Sequence, residues 1–249
     1  MAPVPVPAAF DLAGLFAGDL ARFAGSLRVD DGAAHLDGRR LLELATLREL
    51  IDRFGATQAG GEPRAIVSMW SQWHFSNTIV PATVVQLLGG VGLPVALEGG
   101  RFALHDNGCT AGVVIPPDHP LPPRQAKAGL ESLIDGHLSP LIALLASHFG
   151  VSAKLLWNNA AVSLAWSVQQ CAADPRVDRQ GLAEAQALLT AALTPAGGKN
   201  PLDGALRPSA LAPMENCQRK ICCLRYLLPG MADCGSFCPL PRHSRAAAA

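Results

Sequence analysis

The cysteines of this chain are unevenly distributed, and their distribution limits the possible folds more than any other feature. The chain has seven cysteines, and five of them lie close together near its C-terminus, at Cys217, Cys222, Cys223, Cys234 and Cys238. The N-terminal sequence has no basic region ahead of an apolar stretch, so we expect no secretory signal. In a reducing compartment, clustered cysteines are metal ligands or redox groups more often than disulfides. The cysteines of the C-terminal tail, residues 217–245, therefore predict a metal or cluster site.

The spacing of these cysteines leaves two kinds of centre open. Ten residues separate Cys223 from Cys234, and three separate Cys234 from Cys238. Four thiolates can bind either a zinc ion or an iron–sulfur cluster. Side chains of adjacent residues such as Cys222 and Cys223 diverge, which suits a wider two-iron cluster better than one zinc ion. We expect Cys217 to be a bystander.

Positive charges are interleaved with the cysteines of the tail. A cluster bound by four thiolates is negatively charged, and nearby cations and N–H donors stabilise its reduced form and raise its potential. A basic rim could also bind an acidic electron carrier. The tail has one acidic residue, Asp233, against five basic ones: Arg219, Lys220, Arg225, Arg242 and Arg245.

Hydrophobic periodicity predicts a mainly helical α+β protein. A small antiparallel sheet is expected near residues 94–115, with Pro94–Leu97 and Arg101–His105 pairing across Gly99-Gly100 and with Ala111–Ile115 as a third strand. The proline-rich residues 116–123 suggest a boundary, giving segments 1–123, 124–205 and 206–245, or one compact domain. Helices are predicted over Asp37–Phe54, Glu62–Leu88, Gln125–Phe149 with a kink at Pro140, Ser152–Ala173 and Asp178–Leu193.

Composition excludes several classes of function. Lys plus Arg and Asp plus Glu both number 20 in 249 residues, which argues against a nucleic-acid-binding surface. The uncharged segment Phe75–Leu97 is long enough to cross a bilayer, but its prolines, glycines and polar residues favour a buried helix and a loop. The sequence contains no phosphate-binding glycine loop and no Gly-x-Ser-x-Gly motif, so we expect neither a nucleotide site nor nucleophilic catalysis.

Several motifs resemble those of one family. Arg219–Tyr226, with the sequence RKICCLRY, followed by Cys234 and Cys238-Pro-Leu, resembles the C-terminal signature of the FhuF-like siderophore-iron reductases. His137–Leu141 and Leu156–Ala160 are similar to the middle of that family. Two departures are a spacing of three rather than two residues before Cys238, and an asparagine at position 158 in place of the usual glycine.

The resemblance implies a function and a cofactor. Cys222, Cys223, Cys234 and Cys238 would hold a [2Fe–2S] cluster that passes one electron to siderophore-bound Fe(III), releasing iron in the cytoplasm. The expected partners are a ferric siderophore, more often of the hydroxamate type, and a ferredoxin-like or flavoprotein electron donor. A cytoplasmic location with peripheral contact to the inner membrane is also expected. The alternatives are a siderophore- or partner-binding protein with structural zinc, and an iron–sulfur redox sensor.

A few other side chains are candidates for the substrate pocket or for the surroundings of the cluster. Trp70, Trp73 and His74 could line an apolar groove, although core packing is the stronger expectation for an aromatic group on a helix. The remaining candidates are Trp157, Asn159, Arg219 and Arg225.

Overall fold

The computed structural model describes residues 12–117, 130–194, 197–207, 218–232 and 234–240. The chain is α+β and predominantly helical, as predicted. No helix in these ranges combines the length and apolar character needed to span a membrane. The helices are α1 (Leu44–Ala56), α2 (Pro63–Gly89), α3 (Glu131–Leu133), α4 (Ser139–His148), α5 (Ala153–Ala172) and α6 (Arg179–Thr190).

Helix α2 forms the centre of the molecule. It begins at an N-cap, where the Glu62 side chain accepts a hydrogen bond from the Ala65 N–H, and it continues through Pro81 to Gly89. Most of its residues are buried, because it packs against α1, α5 and the sheet. A helix that is buried on nearly all sides must also bury polar side chains, and these recur in the functional site. The predicted helix over residues 62–88 is confirmed.

The main sheet has four strands in the order β1-β4-β3-β2. Strands β3 and β4 form an antiparallel hairpin, whereas β1 joins β4 in parallel. The predicted antiparallel pairing within residues 94–115 is confirmed, but the parallel β1–β4 pairing makes the sheet mixed. The strands are β1 (Leu27–Val29), β2 (Leu36–Asp37), β3 (Arg101–Leu104) and β4 (Thr110–Ile115).

The hairpin turn differs from the sequence prediction. Pro94–Leu97 is not a strand, and the turn lies after β3, where the Gly108 N–H donates to the His105 carbonyl. Gly99 instead forms a turn before β3 with a φ of 81°. Two Gly-containing turns flank β3, and the Gly-Gly rule alone could not tell which of them reverses the chain within the sheet.

The predicted kink at Pro140 takes another form. Residues Ile134–Leu138 form a π-helical turn, and Pro140 lies in the first turn of α4, where its missing N–H costs no hydrogen bond. The Gly136 carbonyl of this turn accepts from the Leu97 N–H at 2.9 Å. This hydrogen bond therefore links the π-helical turn before α4 to the loop that precedes β3.

The C-terminal segment is attached through a small antiparallel sheet. Strand β5 (Leu206–Arg207) pairs with β6 (Gln218–Arg219), and the cysteine-containing turn follows β6 directly. Side chains alternate along a strand, so neighbouring residues of β6 face opposite ways. Arg219 is buried, whereas Gln218 and Lys220 on either side are exposed.

Candidate cluster-binding site

A left-handed turn follows the two adjacent cysteines. Leu224 has a φ of 64°, a conformation that usually costs a non-glycine residue about 1–2 kcal/mol. Its N–H donates to Cys222 Sγ at 3.4 Å. The turn at Leu224 therefore directs a backbone N–H back toward the first of the two thiols.

The thiols of the tail interact directly with one another. Cys223 Sγ and Cys234 Sγ are 3.8 Å apart, about the separation of two thiolates that bind one tetrahedral metal at about 2.3 Å. Cys223 and Cys238 are buried, whereas Cys222 and Cys234 are half-buried. Hydrogen bonds from the Cys222 and Cys234 thiols lower the pKa of Cys223, and the charge of Arg219 acts in the same direction.

Beneath the cysteines lies a buried guanidinium. Arg219 is 3% exposed, and its Nη1 and Nη2 donate to Asn159 Oδ1 at 2.6 Å and to Gln72 Oε1 at 3.1 Å. Its Nε has no hydrogen-bond partner. Burial lowers the pKa of Arg219, and the sulfurs of Cys223 and Cys234 oppose that shift. A buried cation with two neutral partners and a free donor fits a negatively charged thiolate cluster.

A polar shell on α2 and α5 fixes this arrangement. Asn159 Nδ2 donates to Ser68 Oγ at 3.1 Å and to Ser71 Oγ at 3.0 Å, so its Oδ1 is directed to Arg219. Ser68 Oγ donates to the carbonyl oxygen of Cys223 at 2.7 Å. Asn159 is a candidate for the chelate pocket or the surroundings of the cluster, and in the structure it contacts Arg219 and Ser68.

The other two candidates, Arg225 and Trp157, lie in different parts of the structure. Arg225 Nε donates to Met69 Sδ on α2 at 3.3 Å, which holds the turn after the cysteines against that helix. Trp157 lies away from this shell and lines a cavity of about 610 Å³ beside β6. Asn158, in the position where the family usually has glycine, donates through Nδ2 to the Ala205 carbonyl.

Several cysteines and charges play no part in the described geometry. Cys109 and Cys171 are buried elsewhere, and burial raises the pKa of each thiol to about 12, as expected for unreactive core cysteines. The tail residues that lie outside the described ranges are Cys217, Asp233, Arg242 and Arg245.

A buried histidine pair was not anticipated from the sequence. His74 Nε2 lies 2.7 Å from His137 Nε2, and His137 Nδ1 lies 2.5 Å from the Val95 carbonyl. Trp70 stacks on His74, so these two residues are core residues, whereas Trp73 is 47% exposed. No sequence signal links positions 74 and 137, because they lie on separate elements 63 residues apart.

Comparison with known proteins identifies the family. Residues 68–216 match the family described as "Ferric iron reductase FhuF-like transporter", and residues 219–240 match the "FhuF 2Fe-2S C-terminal domain". The chain therefore belongs to the FhuF-like ferric iron reductase family, and its cofactor is a [2Fe–2S] cluster, as the resemblance implied.

A curated relative supports the same assignment. The chain is 27% identical over 184 residues to the "Ferric siderophore reductase" of Escherichia coli (strain K12). The alignment covers 70% of this chain and 65% of that relative, slightly less than two thirds of its length. The matched C-terminal domain contains the four cysteines Cys222, Cys223, Cys234 and Cys238.

Proposed function

We propose that Cys222, Cys223, Cys234 and Cys238 hold the [2Fe–2S] cluster and that the protein reduces siderophore-bound Fe(III) to Fe(II). The observation that supports this proposal is the buried cation of Arg219, whose charge interacts with the sulfurs of Cys223 and Cys234 in the matched segment. Core thiols need no buried guanidinium, whereas a cluster with four thiolates provides its counter-charge.

The chemistry is a transfer of one electron. Siderophore oxygens are hard donors that bind Fe(III) far better than Fe(II). When Fe(III) gains the electron, its charge falls by one and the chelate loosens, so the iron can be removed. A [2Fe–2S] cluster held by Cys222, Cys223, Cys234 and Cys238 would supply that one electron.

The electron must come from another molecule. Because the sequence has no phosphate-binding glycine loop, we propose a ferredoxin-like or flavoprotein donor that docks on the basic tail. Release of iron in the cytoplasm, with peripheral contact to the inner membrane, belongs to the same proposal.

The residues around the cysteines have separate tasks in this scheme. Arg219 stabilises the added negative charge of the reduced cluster, and the Leu224 N–H does the same at Cys222 Sγ. Ser68 holds the carbonyl of Cys223 and so fixes the orientation of the cysteine turn.

The test is purification without oxygen, followed by visible spectroscopy and analysis of iron, sulfide and zinc. We expect a brown protein with equal amounts of iron and sulfide, which dithionite bleaches and a ferric siderophore then re-oxidises. A colourless protein that contains zinc would contradict the proposal. A cluster that no ferric chelate re-oxidises would contradict the reductase function and leave the sensor alternative.

Replacing single cysteines tests the ligand set. Serine at position 222, 223, 234 or 238 should remove or destabilise the cluster, because a hydroxyl is a poor ligand for iron–sulfur centres. Cys217→Ser and the core variant Cys171→Ser should retain the full visible spectrum. Loss of the cluster in Cys217→Ser, together with its retention in Cys238→Ser, would show that the assignment is wrong.

A further inference from the structure

A cavity of about 610 Å³ lies beside the cysteine segment. Its walls come from the start of α5, from the loop at residues 199–205 and from the end of β6. This volume is within the range of small-molecule sites, about 300–1,000 Å³. The ferric chelate also needs a binding site, and the four cysteines that hold the cluster do not provide one.

The charged residues that line the cavity are mostly basic. Lys154, Lys199 and Lys220 line it, against one carboxylate, Asp203. All three lysines are exposed, and within the described part of the chain none of them forms an ion pair or donates a side-chain hydrogen bond. Three unpaired ammonium groups around one cavity repel each other, and an anion bound there would relieve that repulsion.

The start of α5 adds to the positive potential. The N-terminus of a helix has a partial positive charge that favours acidic residues, yet the first turn of α5 has none and contains Lys154 instead. At the base of the same wall, Asn158 is 1% exposed and its Oδ1 has no hydrogen-bond partner. A buried, unpaired amide oxygen in a cavity wall is available to a hydroxyl or amide donor of a ligand.

The cavity is adjacent to the proposed electron source. Lys220 and Ile221 line it, and Cys222 is the next residue in the chain. Strand β6 thus directs Arg219 into the protein beneath the cysteines and leaves Lys220, on the opposite side, at the cavity. A chelate in this cavity would contact Lys220 and Ile221, the two residues that precede Cys222 in the chain.

We propose that this cavity binds the ferric chelate, and that it selects chelates with a net negative charge, of the catecholate or carboxylate class, over uncharged or cationic tris-hydroxamates. This inference rests on the proposed function and departs from the hydroxamate chelates that the family resemblance implies. Trianionic ferric tris-catecholates match the unpaired lysines, whereas an uncharged tris-hydroxamate gains little from them.

The test uses gallium(III) chelates, which have the charge and shape of the ferric complexes but accept no electron at accessible potentials. Binding to the anaerobically purified holoprotein is measured by calorimetry with a trianionic gallium tris-catecholate and an uncharged gallium tris-hydroxamate. We expect the anionic chelate to bind at least about tenfold more tightly, and its affinity to fall as salt is added.

Charge-removing variants locate the site. Lys154→Gln and Lys199→Gln are chosen because they lie far in sequence from the cysteines, so the cluster spectrum should be unchanged. Each should weaken binding of the anionic chelate by about fivefold and leave the uncharged chelate unaffected. Arg48→Gln, which removes one exposed charge from α1, is the matched control and should change neither affinity.

The outcomes separate this inference from the proposed function. Equal affinity for the two chelates, or no effect of the lysine variants, would overturn the inference even if the cluster reduces ferric siderophores. Charge-dependent gallium binding to a protein that proves to lack a redox-active cluster would instead overturn the proposed function and leave an anion-selective chelate site.

Discussion

At the scale of single residues, Arg219 has the most unusual environment in the described structure. Removing a cation from water without an opposite charge costs several kcal/mol, and no carboxylate within the described residues contacts this guanidinium. Its charge acts instead on the sulfurs of Cys222, Cys223 and Cys234. Because reduction adds negative charge to a cluster, we expect Arg219 to favour the reduced state of a cluster bound by these sulfurs.

Arg219→Gln should therefore lower the reduction potential of the cluster. With an effective dielectric constant of about 20, the loss of a unit positive charge ~6 Å from a cluster would lower its potential by on the order of 100 mV. The measurement is a redox titration followed by electron paramagnetic resonance of the reduced cluster.

Two control variants make this result specific. Arg219→Lys retains the charge and should keep most of the potential, even if the changed hydrogen bonds lower the stability. Arg207→Gln, on the exposed face of the paired strand β5, should leave the potential unchanged. A potential in Arg219→Gln equal to that of the parent protein would refute the charge argument.

The histidine pair is arranged for two neutral rings. His137 Nδ1–H can donate to the Val95 carbonyl, leaving its Nε2 to accept from His74 Nε2–H, while His74 Nδ1 accepts from the Thr110 hydroxyl. Burial lowers the pKa of His137 to about 4, and burial together with the neighbouring ring lowers that of His74 well below its usual value.

This pair should make the protein less stable in acid. The unfolded chain protonates the His137 ring near pH 6.5, whereas the folded chain protonates it only near pH 4, so the unfolded state binds more protons between these values. The free energy of unfolding should thus fall as the pH drops through this window, by about 1.4 kcal/mol per unit for His137. Urea unfolding across this pH range measures the slope.

The slope should be smaller in His137→Gln than in the parent protein. His148→Gln, which changes an exposed ring on α4, should leave it unaltered. Contributions from carboxylates are common to all three proteins and cancel in the comparison. If the free energy of unfolding had the same pH dependence in the parent protein and in His137→Gln, the pKa of His137 would be the same in the folded and unfolded states.

At the scale of elements, local signals were sufficient for the helices but not for the sheet. The N-cap of α5 at Ser152 and the N-cap of α2 at Glu62 lie close to the predicted starts, because capping and helical periodicity depend on nearby residues. The parallel pairing of β1 with β4 has no local signal, because Leu27 and Val113 meet only through tertiary structure. The π-helical turn was not predicted either, because the rule for proline inside a helix predicts only a kink at Pro140.

Close packing between β1 and β4 depends on a glycine. A Cβ at Gly112 would lie 2.4 Å from the Ser26 carbonyl oxygen, a distance that requires the backbone to move. Gly112→Ala should lower the free energy of unfolding by about 1–3 kcal/mol, measured by chemical denaturation. Gly25→Ala is the control on the same segment, because a Cβ there contacts nothing within 4 Å and the mutant should be near parental stability.

At the scale of the whole molecule, the C-terminal segment is joined to α2 by a few contacts. Besides the Ser68 and Arg225 hydrogen bonds, the Glu62 N–H donates to the Leu227 carbonyl and Leu228 is buried in the core. Because the cluster binds the folded segment, its binding free energy adds to the stability of that attachment.

Loss of the cluster should therefore loosen one region selectively. Hydrogen exchange of the apoprotein should accelerate in residues 218–240 by about tenfold or more, whereas α2 and α5 should retain most of their protection. Comparing holo- and apoprotein by mass spectrometry measures this directly. Equal exchange of the tail in both forms would show that the cluster does not stabilise its attachment.

The candidate site could be predicted only in part. The cysteine spacing left zinc and an iron–sulfur cluster both open, and the family resemblance of this short continuous segment was sufficient for the cofactor. The inward direction of Arg219 depends on the pairing of β6 with β5, and the lysine-lined cavity is formed by three separated segments. The four cysteines remain the predicted ligands until the serine variants are measured.

The parallel pairing of β1 with β4 also has a consequence for how the protein is made. Leu27 precedes its partner Val113 by 86 residues, so it is synthesised about 4 to 17 seconds earlier at about 5–20 residues per second. During that time the early strand has an unsatisfied edge open to other chains or to chaperones. Nascent chains stalled just before and well after Ile115 should differ accordingly, with residues 27–29 open to protease in the first and protected in the second.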